Sequence, residues 1–286
     1  MTENLNGKVC LITGATSGIG KASAMQLASM GAEIVFVARN KEKAEKLKEA
    51  LKASTGKDAT SIIADLSSQE EVKRAAGEFL SLNKPLHILL NNAGIVNTTR
   101  KETVDGFEEV FAVNHLAYYA FTVMLMNKLI ENGPSRIVNV ASSAHTFIKE
   151  LDFEDLQSKN DYKTMQAYGK SKLANILFTR ELAERLEGKG VTVNCLHPGV
   201  VDTEIISSNS LFLKLLTTLA KPFFRNPDKG AETSVYLCTS PEVEKETGGY
   251  YSDCKIEKIS AAARSKENAS KLWQVSSQLT GIDLLD

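Results

Sequence analysis

Short apolar runs alternate with longer amphipathic segments along most of the chain. The apolar runs fall at residues 8–13, 33–38, 59–64, 86–91, 136–141 and 191–196. A first helical pattern follows a glycine-rich turn and runs to residue 31, and further helical patterns fall at 41–52, 68–82, 106–131 and 167–187. Strands that are apolar throughout are typical of a parallel sheet covered by helices on both faces. The alternation therefore predicts an α/β fold, a doubly wound parallel sheet of about seven strands flanked by helices.

Two segments depart from this alternation. Residues 144–166 are polar and resemble a loop, whereas residues 205–225 are rich in Leu and Phe and carry few charges. Ligands bind near strand ends in open α/β sheets, so we expect both segments to face a substrate. For 205–225 the helical spacing of the apolar residues also fits ordinary core packing. No repeat or linker interrupts the chain, which predicts one domain over residues 1–286.

The overall charge excludes a general attraction to polyanions. The chain has 34 Lys and Arg against 35 Asp and Glu, a net charge of -1. We therefore expect no nucleic-acid partner. The N-terminal residues lack the basic and apolar regions of a secretory signal, so we expect a cytoplasmic protein. The apolar stretch 110–126 is interrupted by Asn114 and His115, which favours a buried helix over a membrane span.

The cysteines and histidines show no metal-binding spacing, and we expect no metal. The cysteines contain no Cys-x-x-Cys pair, which favours reduced, buried thiols. The histidines lie far apart, and each is expected to have a structural or surface role. These residues are Cys10, Cys195, Cys238 and Cys254, and His87, His115, His145 and His197.

Tyr168 and Lys172 form the most informative pair. Residues four apart share one face of a helix, and an ammonium beside a phenol favours the phenolate, so the pair could act as an acid/base unit near neutral pH. With 7 Tyr and 34 Lys or Arg in the chain, roughly one such spacing is expected by chance. The spacing alone is therefore equally typical of an ordinary surface helix.

A glycine-rich turn at residues 13–20 joins the first strand to the first helix. Its glycines allow backbone N–H groups to approach a pyrophosphate at the helix N-terminus. Ala15 and Ala22 exclude a Walker A loop, and the spacing of the glycines at 14, 18 and 20 excludes the G-x-G-x-x-G pattern. A structural glycine turn is the alternative.

The end of the second strand favours NADP(H) over NAD(H). A carboxylate there would bind the adenine ribose, whereas Arg accommodates a 2′-phosphate. The chain places Arg39, Lys41 and Lys43 at this position, and Glu33 lies at the opposite end of the strand. The lysines would also suit a solvated helix start.

Taken together, these motifs resemble the short-chain dehydrogenase/reductase family over essentially the whole chain. The resemblance implies a single-domain Rossmann fold. Segments 136–145, 171–175 and 272–273 look most like the retinol-dehydrogenase-like branch. The motifs stand in family order: Thr13-Gly14-x-x-x-Gly18-x-Gly20, Asn91-Asn92-Ala93-Gly94, Asn114, Ser142/Ser143 with Tyr168-x-x-x-Lys172, and Pro198-Gly199-Val200-Val201-Asp202-Thr203.

The resemblance implies a catalytic role for four residues. Tyr168 would protonate the developing alkoxide, and Lys172 would lower the Tyr168 pKa and bind the nicotinamide ribose. Ser143 would hold the substrate oxygen; we choose it over Ser142 because neighbouring residues at a strand end face opposite sides and the family's catalytic Ser usually follows another Ser. Asn114 would position a proton-relaying water, although a helix Asn that bonds a neighbouring turn is the alternative.

The resemblance also implies the cofactor contacts. Asp65 would receive the adenine amino group, unless it caps the next helix. Thr203 would anchor the nicotinamide side. The full expected set is Gly14, Ser17, Gly18, Ile19, Gly20, Arg39, Lys43, Asp65, Leu66, Asn92, Ala93, Gly94, Tyr168, Lys172, Pro198, Gly199 and Thr203.

The implied function is NADP(H)-dependent hydride transfer between nicotinamide and a carbonyl/alcohol substrate, with a lipophilic aldehyde or ketone such as retinal as the expected small-molecule partner. A catalytically silent NADP-binding sensor or scaffold is the alternative, although it would not need Ser143, Tyr168 and Lys172 together. A sugar-nucleotide epimerase would have Gly at position 17 and a longer substrate domain after Lys172. Peripheral membrane contact through 205–225 and oligomer formation remain open.

Overall fold

The computed structural model describes residues 4–199 and 226–283. Within them, eight strands form one sheet in the order β3-β2-β1-β4-β5-β6-β7-β8, parallel except for the pairing of β7 with β8. The predicted doubly wound sheet is thereby confirmed. The strands are β1 Val9–Thr13, β2 Glu33–Ala38, β3 Thr60–Ile63, β4 Ile88–Asn91, β5 Ser135–Val140, β6 Val191–Leu196, β7 Tyr250–Ser252 and β8 Lys255–Ile256.

Helices cover both faces of the sheet. Asn40 and Ser68 cap the second and third helices, since each side chain accepts a hydrogen bond from a backbone N–H of the first turn. The helices are α1 Gly18–Ser29, α2 Lys41–Thr55, α3 Gln69–Ser81, α4 Glu109–Phe111, α5 Ala117–Met124, α6 Met126–Glu131, α7 Thr164–Arg185, α8 Pro227–Thr239, α9 Ala261–Arg264 and α10 Lys266–Thr280.

Alternate residues of each strand face opposite layers, which produces two large apolar clusters. Leu11 of β1 packs in one cluster with Phe79 of α3 and Phe178 of α7. Ile12, the next residue, packs in the other cluster with Leu27 of α1. The apolar character of the predicted strands follows from this burial on both faces.

The order of the sheet reverses at β1. This strand pairs with β2 on one side and with β4 on the other, so the connections on the two sides run in opposite directions and leave a crevice at the carboxyl ends of the strands. The predicted glycine turn and the 91–94 motif both lie at this crevice.

The predicted helix over 106–131 is interrupted. It begins at Glu109 and contains a π-helical turn at Ala112–Leu116, followed by α5 and α6. Residues 110–123 are all buried, as expected for a core helix. The hairpin of β7 and β8 was not among the strands located from the pattern, because runs of three and two residues are too short to show a period.

Some predictions lie outside the described residues. These are Thr203 and the segment 205–225. Three cysteines, Cys10, Cys195 and Cys238, are buried free thiols as predicted, and Cys254 is half-buried. Among the described helices, none combines the length and the apolar character needed to cross a membrane.

Candidate active site

The glycine turn is packed so closely that side chains are excluded. Gly14 has φ +68°, and an added Cβ would lie 2.8 Å from Cα of Ala93. A Cβ on Gly20 would collide with the Gly14 carbonyl and the Asn92 amide. Gly18 also has positive φ, +50°. Small residues are therefore required at these positions by contact within the turn.

The N-terminus of α1 suits an anion. Its N-cap residue, Ser17, makes no side-chain capping bond, and the first turn carries no acidic residue. By contrast, α2 and α3 begin with both a side-chain cap and acidic residues. The N–H groups that begin α1 are thus not used by a side-chain cap, in the geometry that binds a phosphate. The turn and helix fit the pyrophosphate of a dinucleotide.

Hydrogen bonds of Thr13 and Asn92 connect the glycine turn to the end of β4. The Asn92 amide donates to the carbonyl oxygens of Thr13 and Gly14, at 3.0 and 3.1 Å. The Thr13 hydroxyl in turn accepts from the backbone N–H groups of Asn92 and Ala93, at 2.9 and 3.1 Å. The two motifs therefore form one rigid unit.

The residues expected around the adenosine lie at the ends of β2 and β3. Arg39 and Lys43 are exposed, at the end of β2 and in the first turn of α2. Asp65 accepts from the Ser67 N–H at 3.0 Å, while Ser68 caps α3, so the alternative role of Asp65 as helix cap is wrong. Leu66 beside it is buried.

Tyr168 and Lys172 share one face of α7, as their spacing predicts. Lys172 Nζ lies 5.6 Å from the centre of the Tyr168 ring. Lys172 is only 3% exposed, and its Nζ donates to the Val140 carbonyl at 2.9 Å, at the end of β5. The alternative of an ordinary surface helix is therefore wrong, because the lysine is buried against the sheet.

Burial dominates the electrostatics of this pair. It lowers the pKa of Lys172 to about 7 and raises the pKa of Tyr168, and hydrogen bonding to Ser142 partly opposes the rise in the Tyr168 pKa. Burial of the phenol thus outweighs the expected lowering of its pKa by Lys172. At neutral pH the phenol holds its proton, which is the form a general acid needs.

Ser142, the serine set aside in favour of Ser143 in the sequence analysis, contacts the Tyr168 phenol. Its backbone is extended, with φ -164°, and its hydroxyl also accepts from the Ala144 N–H at 3.2 Å. Ser143, the residue chosen from the sequence, is exposed and begins a 3₁₀ turn, Ser143–Phe147. Both hydroxyl groups thus stand at the end of β5, and the role of Ser143 stays a prediction.

Asn114 lies in the π-helical turn and is fully buried. Its amide donates to the Ile95 carbonyl and the Ser171 hydroxyl, both at 3.0 Å, and its oxygen accepts from the Ile95 N–H at 2.8 Å. The alternative of an Asn bonded to a neighbouring turn is therefore realised. The side chain also lies near Lys172, because a Cβ on Gly94 would be 3.4 Å from Asn114 Oδ1 and 3.5 Å from Lys172 Nζ.

Pro198 and Gly199 follow β6 and are half-buried. The Gly199 N–H donates to Nδ1 of His197 at 3.2 Å. This turn follows the strand that pairs with β5, whereas Arg39 and Asp65 follow strands on the other side of β1. The expected cofactor residues thus follow strands along the carboxyl edge of the sheet, as an extended dinucleotide requires.

Tyr118 is a further site residue without a sequence signal. Its hydroxyl donates to the Ala93 carbonyl at 2.7 Å, and its ring centre lies 5.8 Å from Lys172 Nζ. Its position in an apolar helix gave no reason to single it out. The ring covers one side of the buried ammonium and links it to the motif at the end of β4.

Comparison with known proteins identifies this arrangement. Residues 8–212 match the family model of the short chain dehydrogenases. Retinol dehydrogenase 12 of Mus musculus is 45% identical over 278 residues, which cover 96% of this chain and 87% of that protein. Retinol dehydrogenase 11 of Homo sapiens is 40% identical over 284 residues, covering 99% and 89%.

Solved structures agree with these relatives. An uncharacterised protein of Mycobacterium paratuberculosis superposes with a TM-score of 0.80 at 28% identity, covering 100% of this chain and 97% of that one. A short chain dehydrogenase of Burkholderia cenocepacia in complex with NADP gives a TM-score of 0.67 at 26% identity, covering 92% and 100%. The chain therefore belongs to the short-chain dehydrogenase/reductase family, in its retinol-dehydrogenase-like branch, and is an oxidoreductase that uses a nicotinamide cofactor.

Proposed function

We propose that the protein is an NADP(H)-dependent carbonyl reductase and alcohol dehydrogenase whose substrate is a lipophilic aldehyde or ketone, such as retinal. The observation that carries the proposal is the grouping of Tyr168, Lys172 and the two serines at the end of β5, next to a turn that fits a pyrophosphate. The retinol dehydrogenases among the relatives support the substrate class. A sensor or scaffold that only bound the cofactor would not need these four residues grouped together.

The chain's own residues would hold and move one proton. When bound, the nicotinamide supplies the hydride. Tyr168 donates its phenolic proton to the substrate oxygen as negative charge develops there. Ser142, whose hydroxyl contacts the phenol, donates a hydrogen bond to the same oxygen in place of Ser143, the serine expected from the sequence. The Lys172 ammonium stabilises the phenolate that remains. Asn114 holds the turn at Ile95 against α7, which keeps Lys172 in place.

Two cations support NADP(H) as the cofactor. Arg39 is exposed at the end of β2 and can reach a 2′-phosphate, and Lys43 lies one helical turn further. The side chain of Asn40, which lies between Arg39 and Lys43 in the chain, is occupied in capping α2. No carboxylate stands at the end of β2, where a ribose-binding residue for NAD(H) would be.

The test is a substrate panel with both cofactors. Purified protein is expected to oxidise NADPH in the presence of retinal, aliphatic aldehydes, steroids or quinones, with retinal among the best substrates. The Tyr168→Phe variant removes only the hydroxyl and should lower kcat at least a thousandfold while NADPH still binds, measured by cofactor fluorescence. A Phe variant as active as the parent contradicts the mechanism, and a parent that binds NADPH but reduces nothing in the panel favours the sensor.

A further inference from the structure

His145 follows the two serines in the chain, two residues after Ser143, and the proposed reaction gives it no role. The ring is 1% exposed and sits in the 3₁₀ turn that follows β5. Its Nδ1 is 2.9 Å from the Ser142 carbonyl oxygen, and its Nε2 is 3.3 Å from the backbone nitrogen of Ser260. Both ring nitrogens are therefore engaged by backbone groups.

These partners determine where the ring carries its proton. The Ser260 N–H can only donate, so Nε2 must accept and carries no hydrogen. The Ser142 carbonyl can only accept, so Nδ1 must carry the hydrogen and donate. Burial lowers the pKa of His145, which agrees with a neutral ring. A ring protonated on both nitrogens would point a donor at the Ser260 donor.

His145 holds the Ser142 carbonyl through two hydrogen bonds. Besides the ring, the backbone N–H of His145 donates to the same oxygen at 3.2 Å. Because the peptide group is planar, the direction of this carbonyl fixes the direction of the Ser143 N–H and the path of the chain between the two serines. The orientation of the Ser142 hydroxyl, which contacts Tyr168, depends on this peptide.

The ring is itself fixed by a stack of aromatic side chains. His145 packs edge-on against Tyr250 at 5.1 Å between ring centres, and Tyr250 stacks on His197 at 5.8 Å. His197 accepts from the Gly199 N–H at the end of β6. The stack of His145, Tyr250 and His197 thus packs beside two turns. One is the turn that carries Ser142 and Ser143 at the end of β5, the serine turn, and the other is the Pro198-Gly199 turn at the end of β6.

We propose that His145 is a positioning residue: in its Nδ1–H form it holds the Ser142–Ser143 peptide, and thereby the Ser142 hydroxyl beside Tyr168, in the orientation that turnover needs. The inference rests on the proposed function, because it assigns to His145 a task in that reaction. It concerns the ring nitrogens and is separate from the chemistry of Tyr168 and Lys172.

A spectroscopic test examines the tautomer directly. The chain contains only 4 His, so a long-range ¹H–¹⁵N spectrum of protein labelled with ¹⁵N-histidine shows few signals. The signal absent from the His145→Asn variant belongs to His145. We expect the pattern of a neutral ring protonated at Nδ1. A ring protonated at Nε2, or one that averages between the two forms, would overturn the proposal whatever the activity.

A kinetic test compares two matched variants. In His145→Asn the amide nitrogen can take the place of Nδ1 and bond the Ser142 carbonyl, whereas in His145→Gln the amide oxygen can take the place of Nε2 and bond Ser260. We expect the Asn variant to keep kcat within about threefold of the parent and the Gln variant to lose roughly tenfold, with the Kd for NADPH unchanged in both. The substrate is the carbonyl compound that the parent reduces fastest.

The outcomes separate the inference from the proposed function. Equal kcat values in the two variants, or losses that follow their melting temperatures instead of the identity of the retained bond, would overturn the role of His145. Those results leave the parent's activity, and so the proposed function, untouched. A parent without activity on any carbonyl overturns the proposed function itself and removes the reaction that His145 is proposed to serve.

Discussion

A lysine that is almost completely buried without a carboxylate is costly to the fold. Lys172 is 3% exposed, and burial lowers its pKa from 10.5 to about 7. The groups that contact it within residues 4–199 and 226–283 are neutral: the Val140 carbonyl and the rings of Tyr118 and Tyr168. Such a group is retained for its chemistry, because an apolar side chain of similar length would pack at lower cost.

The Lys172→Met variant should therefore be more stable than the parent at low pH. Below pH 7 the parent carries a buried ammonium, and the lowered pKa corresponds to a penalty of up to about 5 kcal/mol. Between pH 7 and 10.5 the unfolded chain still binds this proton while the folded protein does not, so the parent regains stability as the pH rises. The advantage of the Met variant should shrink over the same range.

Thermal unfolding of the cofactor-free proteins at pH 6 and pH 9.5 measures this difference. Lys46→Met, at an exposed position of α2, is the matched control and should show no pH-dependent advantage. A Met variant that is less stable than the parent at pH 6 would contradict the prediction. The Val140 carbonyl keeps a partner in the variant, since the Asn175 amide also donates to it at 3.3 Å.

The sequence predicted the pairing of Tyr168 with Lys172 but could not predict its electrostatics. A spacing of four on a helix fixes which side chains share a face. The direction of the pKa changes depends instead on what covers that face, here β5 and the ring of Tyr118, which are distant in sequence. The contact of Ser142 with Tyr168 depends likewise on the backbone angles of one residue where the strand ends.

Helix α7 packs against the serine turn at Gly169. An added Cβ on Gly169 would lie 2.8 Å from the Ala144 carbonyl oxygen and 3.1 Å from the side chain of Ile148. Gly169 is the neighbour of Tyr168, so this close approach sets the distance between the phenol and the turn that carries Ser142 and Ser143.

The Gly169→Ala variant should lose both stability and turnover. The new methyl group must push the 3₁₀ turn away from α7, since its nearest neighbour is a backbone atom. We expect a loss of about 1–3 kcal/mol in unfolding free energy and a fall in kcat of at least tenfold, measured by denaturant unfolding and by steady-state kinetics.

Gly77→Ala is the matched control. Gly77 also lies inside a helix, α3, but a Cβ there would meet nothing within 4 Å. The same substitution should stabilise the protein by about 0.5–1 kcal/mol, because Ala favours the helix more than Gly does. If the two variants changed unfolding free energy and kcat alike, the close packing around Gly169 would not be the cause of the loss.

The periodicity of the sequence located most strands and helices but not the irregular turn inside the buried helix. Buried strands and amphipathic helices were located from their periodicity, and β6 Val191–Leu196 has the predicted bounds. The π-helical turn at Asn114 was not located from the sequence, because one extra residue in a turn leaves the apolar pattern of a fully buried helix unchanged. π-Helical turns are frequent at functional sites, and this one carries a predicted catalytic residue.

For the molecule as a whole, the order of the sheet brings the distant motifs together. β1 lies between β2 and β4, so the glycine turn stands between the residues expected at the adenosine and those expected at the nicotinamide. Residues far apart in sequence thereby face one crevice. The order of the strands could not be read from periodicity, and it entered the prediction only through the resemblance to a family.

Binding of the correct cofactor should stabilise the entire fold, because the cofactor contacts loops from both halves of the sheet. At a ligand concentration of 100 times Kd the gain is about 2.7 kcal/mol, which for a chain of this length corresponds to a rise in Tm of roughly 4–5 °C. In the parent, NADP⁺ should raise the Tm more than NAD⁺ at equal concentration, because the proposed cofactor site places Arg39 where it can pair with the 2′-phosphate.

The Arg39→Asp variant should reverse this difference. A carboxylate repels the phosphate of NADP⁺ and can accept hydrogen bonds from the ribose of NAD⁺, so the preference measured by thermal shift should move toward NAD⁺ by at least tenfold in Kd. Lys46→Asp makes the same change of charge at an exposed position further along α2 and should keep the parent's preference. If Arg39→Asp retains the NADP⁺ preference, the 2′-phosphate is held elsewhere, and the assignment of the cofactor to this strand end is wrong.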